Sequence, residues 1–191
     1  MKRTLLVASL ALASAGAAFA QSNVTIYGRL NMTVESEKFG TASRSTAVNN
    51  NASRIGFKGS EDLGGGLKAG FVLEHGFNPD TGTTSSSRFW ARESTVFIGG
   101  GFGKIQLGNA AASESYFATV DYVSMHNHDT GSSSDALAAF VSTGALQNSI
   151  SYYSPSMGGF NFAAQYGVKE GARVDAPVAL AANYDAGPLH L

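Results

Sequence analysis

Three absences limit what this chain can be. It has no cysteine among its 191 residues, which excludes a disulfide scaffold. It has no excess of positive charge, because 13 basic residues face 14 acidic ones, so it lacks the basic surface by which nucleic-acid-binding proteins are recognised. Beyond the first 20 residues it has no apolar run long enough for a membrane helix. Residence in a membrane would therefore have to be through β-strands.

The first 20 residues have the pattern of a cleaved export signal. Lys2 and Arg3 form a positive start, Leu5–Ala18 is an apolar run, and Ala18-Phe19-Ala20 is a small-x-small cleavage site. The apolar run is shorter than the roughly 20 residues that a membrane-spanning helix needs. We predict that residues 1–20 are removed and that the mature protein starts at Gln21. Without Lys2 and Arg3, 11 basic residues remain against 14 acidic ones, a net charge of −3.

The stretch SRIGFKGSEDLGGGLKAGFVLEHGF, residues 53–77, reads as a strand, a glycine-rich turn and a second strand. Ile55 and Phe57 alternate with Arg54, Gly56 and Lys58, and the second arm alternates in the same way. A half-buried hairpin of a soluble protein would give the same pattern. The pattern recurs along the chain behind an export signal, and this favours an all-β transmembrane antiparallel β-barrel with lipid on one side of the wall and a wet lumen on the other.

The lengths of the strands and of their connections also suit an outer-membrane barrel. Val24–Glu35 alternates over about the 9–11 residues that a tilted membrane strand needs. Short turns rich in glycine, such as 61–66 and 99–103, alternate with longer polar loops, such as 36–52 and 78–87. We count eight strands and the start of a ninth. Because bacterial single-chain barrels close with an even number of strands, this predicts the front half of a longer chain or a truncated copy.

Alternation is lost between Asn109 and Gln147. A segment of this length without a period is too long for an idle connection, so we expect it to have a structural or functional role. His126 and His128 lie within it without further spaced ligands, which favours solvated side chains over a metal site. No serine has the sequence pattern of a nucleophile elbow. We therefore expect neither an enzyme nor a cofactor.

Four segments of the chain resemble the trimeric general porins of Gram-negative outer membranes, of the neisserial and β-proteobacterial type. They are VTIYGRLN from Val24, SRIGFKGSEDLGGGLKAGFVLEHGFN from Ser53, GGFGKIQLGN from Gly100 and NSISYYSPSMGGFNFAAQY from Asn148. The resemblance implies a 16-stranded barrel in the complete family, assembled as a homotrimer in the outer-membrane lipid bilayer. It implies passive diffusion of ions and small hydrophilic solutes through a water-filled channel. It also implies that the third extracellular loop, here 109–147, folds inward as a constriction.

Basic residues of the strands are candidates for the wall of the pore. The resemblance matches Arg54 and Arg92 to basic residues of the constriction. Alternation alone places Arg29, Arg54, Lys58 and Lys68 on the wet side, where charge is less costly than on the lipid side. Alternation also puts Arg92 on the lipid side, so it must lie at the aqueous rim or be turned inward by a bulge.

Acidic residues of the 109–147 segment are candidates for the opposite side of the constriction. Facing basic wall groups, they would create a transverse field that sets ion selectivity. These residues are Glu114, Asp121, Asp129 and Asp135.

Two departures from the family pattern leave the preference for anions or cations open. Asn109 stands where relatives commonly have arginine, and Leu146 and Gln147 stand where they often have a basic residue. Three alternatives to a conducting porin remain at this point. They are a small structural or adhesive outer-membrane barrel, a soluble exported β-sandwich, and a truncated porin that does not conduct.

Overall fold

The alternating segments form strands throughout the part of the chain that the computed structural model describes, which is residues 23–38, 40–110, 146–170, 176–187 and 189–190. These ranges contain twelve strands. They are β1 (Asn23–Arg29), β2 (Met32–Glu37), β3 (Ser45–Asn50), β4 (Arg54–Gly64), β5 (Leu67–Asn78), β6 (Thr83–Thr84), β7 (Glu93–Gly100), β8 (Gly103–Asn109), β9 (Ser149–Tyr153), β10 (Phe160–Gly167), β11 (Val178–Ala186) and β12 (Leu189–His190). The predicted export signal lies outside the described residues. Within them, no helix is both long and apolar enough to cross a membrane.

One large antiparallel sheet contains most of these strands. Its order is β1-β4-β5-β7-β8-β9-β10-β11-β12, with the two-residue β6 paired to β5, while β2 and β3 form a separate ribbon. From β7 onward each strand pairs with the next one along the chain, as in an up-and-down barrel wall. The prediction of an all-β antiparallel fold is confirmed.

The two faces of the sheet have the reverse of the polarity of a soluble protein. One face, here called the apolar face, carries exposed aliphatic side chains such as Ile26, which is 67% exposed. The other, the polar face, carries buried uncharged polar side chains such as Gln165, which is 2% exposed. A soluble sandwich would instead pack its apolar faces against each other. Contact with lipid removes the cost of leaving such an apolar face in water, about 25 cal/mol per Å².

The first predicted strand, Val24–Glu35, is in fact two strands separated by an irregularity. Arg29 pairs with Arg54, and the next pair is Met32 with Asn50, so three residues (51–53) lie opposite two (30–31). This is the geometry of a β-bulge, and Ala52 within it has a φ of 54°. The backbone N–H of Asn51 donates to the carbonyl of Asn31 at 2.9 Å. The predicted polar loop 36–52 therefore contains a strand, β3.

The turn between β4 and β5 is tighter than the six residues predicted for it. The strands reach Gly64 and Leu67, which pair with each other. Only Gly65 and Gly66 lie between them, with φ values of 62° and 81°. Two positive φ angles in a two-residue connection match a hairpin turn that suits the twist of the strands, and such angles favour glycine.

Candidate functional site

Strand register brings charged side chains of the polar face into two adjacent rows. In the first row Arg29 of β1 lies opposite Arg54 of β4. In the second row Tyr27 lies opposite Gly56, which is opposite Glu74 of β5, and Glu74 is opposite Glu93 of β7. Neighbouring rows are two residues apart along each strand, so the two rows form one charged patch.

The Glu74 carboxylate is the centre of this patch. Its Oε2 accepts a hydrogen bond from the Tyr27 hydroxyl at 2.9 Å. Its Oε1 accepts one from Nε of Arg92 at 2.6 Å, and Nε of Arg54 is 3.9 Å from the same oxygen. The Glu74 side chain is 11% exposed, against 23% for Arg54 and 32% for Arg92. A carboxylate this buried has to be paired and hydrogen-bonded, because burying an isolated charge is costly.

Arg92 lies neither on a strand nor on the apolar face. It immediately precedes β7, which begins at Glu93, and its guanidinium meets Glu74 on the polar face. Its side chain is on the polar face although the register of β7 with its neighbours contains no bulge, so its direction comes from the backbone before the strand. Gly76 leaves room for it, since a Cβ built there would lie 3.1 Å from Arg92 Cδ.

The other predicted wall residues are not all in this patch. Arg29 Nη2 donates to the carbonyl of Asn51 at 3.3 Å, and Arg54 Nη1 donates to that of Ala52 at 3.1 Å. Both guanidinium groups are therefore hydrogen-bonded to the backbone of the bulge. Lys58 Nζ lies 5.2 Å from the centre of the Tyr27 ring. Lys68 lies near the β4–β5 turn, six residues along β5 from Glu74, which corresponds to roughly 20 Å of strand.

The four predicted acidic partners, Glu114, Asp121, Asp129 and Asp135, lie outside the described residues, as do His126 and His128. The ends of their segment are described. The backbone N–H of Ala110 donates to the carbonyl of Leu146 at 3.0 Å, and the Ser149 hydroxyl donates to the carbonyl of Gly108 at 2.8 Å. The two ends of the 109–147 segment therefore meet at adjacent strands β8 and β9.

Beyond Glu93, at the edge of the charged patch, the polar face is mainly uncharged. Glu93 Oε1 accepts hydrogen bonds from the Thr95 hydroxyl at 2.8 Å and from Gln106 Nε2 at 3.5 Å. Gln165 Nε2 donates to the Ser151 hydroxyl at 3.3 Å. Charge is thus concentrated near β1, β4 and β5. On the polar face of β8 to β10 these side chains are amides and hydroxyls, together with Lys104, whose Nζ donates to Oε1 of Gln106 at 3.0 Å.

Sequence reasoning missed the two acidic residues of this patch. The alternation of the second arm of the hairpin puts Glu74 on the polar face, but neither Glu74 nor Glu93 was among the predicted pore residues. Alternation shows which face of the sheet a residue is on. That Glu74 and Glu93 lie in the same row as Tyr27 depends in addition on the register between strands. The short contact with Arg92 depends in addition on the backbone between β6 and β7.

Comparison with known proteins gives consistent results. A family model described as Gram-negative porin matches residues 6–191. The chain is 34% identical over 188 residues to outer membrane porin protein 32 of Delftia acidovorans, covering 89% of this chain and 50% of that protein. It is 31% identical over 189 residues to the major outer membrane protein P.IB of Neisseria sicca, covering 90% of this chain and 48% of that protein.

Among solved structures, the fold is similar to that of an anion-selective porin from Comamonas acidovorans. The TM-score is 0.68 at 28% sequence identity, and the match covers 89% of this chain and 55% of that one. The chain therefore spans about half the length of the relatives it matches.

Proposed function

Because the chain belongs to the Gram-negative porin family, whose named members here are outer-membrane proteins, we propose that it forms part of a water-filled channel for passive diffusion. Ions and small hydrophilic solutes would cross down their gradients, with no covalent chemistry and no cofactor. The observation that carries this proposal is the polarity of the sheet. An exposed apolar face and a hydrogen-bonded polar face suit a wall between lipid and water.

The charged patch around Glu74 is the proposed selectivity element. Two guanidinium groups, those of Arg54 and Arg92, lie within 4 Å of one carboxylate, and Arg29 lies opposite Arg54 in register. Three positive groups against the nearby Glu74 and Glu93 leave a local excess of positive charge, which favours anions. The similar Comamonas porin is described as anion-selective, which supports the same direction here.

The 109–147 segment is proposed to fold into the pore and narrow it. Support comes from its ends, which meet at β8 and β9, and from the burial of uncharged polar side chains on the neighbouring polar face, among them Gln106 and Ser151. On this proposal the acids of the segment face the arginines of the wall. We also propose that the complete protein is a homotrimer, as the family resemblance implies.

Reversal potential across a planar bilayer tests the selectivity proposal. In a potassium chloride gradient, Arg54→Ala is expected to shift the reversal potential of the protein's channels away from the anion limit, because it removes a positive charge from the patch. Arg44→Ala is the matched control. It removes the same charge from the exposed connection between β2 and β3, where Arg44 donates to Ser36.

An unchanged reversal potential in Arg54→Ala would remove Arg54 from the permeation path. Absence of any channel from the wild-type protein would overturn the diffusion proposal itself.

A further inference from the structure

Three consecutive backbone carbonyls immediately before Arg92 are held by side chains from the flanking strands. The carbonyl of Phe89 accepts a hydrogen bond from Nδ1 of His75. The carbonyls of Trp90 and Ala91 both accept from Nδ2 of Asn109, at 3.2 and 3.1 Å. We call this arrangement, His75 and Asn109 with the carbonyls of residues 89–91, the carbonyl clamp.

His75 enters the clamp from β5, at a position of the apolar face opposite Ile55. It is buried, and its ring stacks on that of Phe89 with centroids 4.2 Å apart and planes 15° from parallel. Trp90 meets the same ring edge-on at 6.4 Å. A polar ring on an apolar face costs free energy unless it is hydrogen-bonded, and the bond to the Phe89 carbonyl supplies that partner.

Asn109 enters the clamp from the end of β8, opposite Ser94 of β7. Its Nδ2 serves both carbonyls, and its Oδ1 accepts a hydrogen bond from Nη1 of Arg88 at 3.3 Å. Both ends of the amide therefore bind the short segment that joins β6 to β7. A side chain that used only one end would leave that segment held at fewer points.

Fixing these three carbonyls fixes the direction in which the chain enters Arg92. Continued alternation back from Glu93 would point Arg92 to the apolar face, yet its Nε lies 2.6 Å from Glu74 Oε1 on the polar face. The inward path passes over Gly76, where a Cβ would be 3.1 Å from Arg92 Cδ.

We propose that His75 and Asn109 are positioning residues for selectivity, which hold residues 89–91 so that the Arg92 guanidinium lies in the pore. This inference rests on the proposed channel function. It assigns a pore role to two residues that face away from the pore.

Two neutral variants test it by reversal potential. His75→Phe keeps a stacking ring but removes the donor to Phe89, and Asn109→Ala removes the donors to Trp90 and Ala91. The double variant is expected to shift the reversal potential in the same direction as Arg92→Ala. When the double variant is combined with Arg92→Ala, the reversal potential should shift no further than in Arg92→Ala alone. The effects of substitutions that act through the same residue do not add.

Asn183→Ala is the control for loss of a hydrogen-bonded side-chain amide far from Arg92. Its Nδ2 donates to Asn161 at 3.3 Å on β10 and β11, so the reversal potential should stay at the wild-type value. If Asn109→Ala fails to assemble, Asn109→Ser replaces it. Serine retains one donor, so a partial shift is then expected.

A second measurement separates this inference from the proposed function. Because the chain has no cysteine, Arg92→Cys creates a single thiol whose labelling by a membrane-impermeant, negatively charged methanethiosulfonate reports exposure to water. Labelling should be fast in Arg92→Cys alone and several-fold slower when His75→Phe and Asn109→Ala are added.

Equal labelling rates in the two backgrounds would overturn the clamp, whether or not the protein conducts. Conversely, slowed labelling with no effect of Arg92→Ala on reversal potential would support the clamp and contradict the proposed role of Arg92 in selectivity.

Discussion

Replacing Glu74 by glutamine gives the sharpest test of the charged patch. Glutamine has the shape of glutamate, its amide oxygen can still accept a hydrogen bond from Arg92, and its amide nitrogen can donate to the Tyr27 hydroxyl. The substitution thus removes one negative charge with little change of geometry. What remains near the position is the positive charge of Arg54 and Arg92, which were 3.9 and 2.6 Å from the carboxylate.

The expected change in ion selectivity follows from Coulomb's law. An ion that passes about 10 Å from the carboxylate through water interacts with it by roughly 0.4 kcal/mol. That energy corresponds to about a twofold change in local ion concentration, since 1.4 kcal/mol is tenfold. Removing the charge should raise the local anion concentration about twofold and lower that of cations about twofold. The anion-to-cation permeability ratio should therefore rise about fourfold.

The salt dependence of this effect is part of the prediction. The Debye length is about 30 Å at 0.01 M and about 3 Å at 1 M ionic strength. The change in reversal potential should accordingly be close to its full size in dilute potassium chloride and vanish at molar salt. Glu170→Gln is the control, because it removes the same charge from an exposed position after β10.

Stability is expected to change only modestly in Glu74→Gln. Hydrogen bonds to charged groups contribute about 1.5–3 kcal/mol each, against about 0.5–1.5 kcal/mol for neutral ones. Each of the two bonds is therefore weakened by about 1–1.5 kcal/mol, so we expect a loss of about 2–3 kcal/mol in the free energy of unfolding. A folded Glu74→Gln channel whose permeability ratio in dilute salt equals that of wild type would refute the placement of Glu74 beside the ion path.

Two further predictions concern the wall. Val96→Arg puts a charge on the exposed apolar face in the middle of β7 and should lower the free energy of unfolding in lipid bilayers by about 2–4 kcal/mol. Ser60→Arg puts the same charge on the polar face of β4, opposite the uncharged Asn23 and Gly70, and should change the free energy of unfolding by less than about 0.5 kcal/mol. Equal costs would contradict the assignment of faces. Gly65→Val forces a branched side chain to a φ of 62° and should cost about 1–3 kcal/mol in urea titrations. Gly101→Val, in the open β7–β8 turn, should cost far less, and a comparable loss there would contradict the argument from φ.

The part of this fold that the sequence predicts is the part that depends only on the two-residue alternation of side chains along a strand. Side chains alternate between faces whatever the tertiary context, so the opposite faces of Ile26 and Tyr27 could be read directly. The strand β3 could not, because Ser45–Asn50 has no regular apolar alternation. It is a strand because it pairs with β2 beyond the bulge.

The candidate site was less accessible to sequence reasoning, because it depends on register and on irregular backbone. Parity assigned Arg54 and Lys58 to the polar face but could not show that Arg54 lies near Glu74 and Lys68 far from it. For Arg92, the alternation of β7 was extended to a residue that precedes the strand. Alternation does not apply there, so it gave the wrong face. Asn109 was interpreted as a missing positive charge. Its side chain in fact holds the carbonyls of Trp90 and Ala91.

The three arginines of the patch are all positioned by irregular backbone. Arg29 and Arg54 donate to carbonyls of the 51–53 bulge, and Arg92 follows carbonyls that are held by other side chains. In a regular strand the backbone carbonyls accept hydrogen bonds from the neighbouring strands. Carbonyls of irregular backbone lie outside this ladder and can therefore accept hydrogen bonds from side chains, including guanidinium groups. A wall whose polar face borders water cannot fix its charged groups by apolar packing. Irregular backbone at the strand ends is therefore where substitutions such as those at Asn109 should change ion preference while the strands, and with them the barrel wall, stay the same.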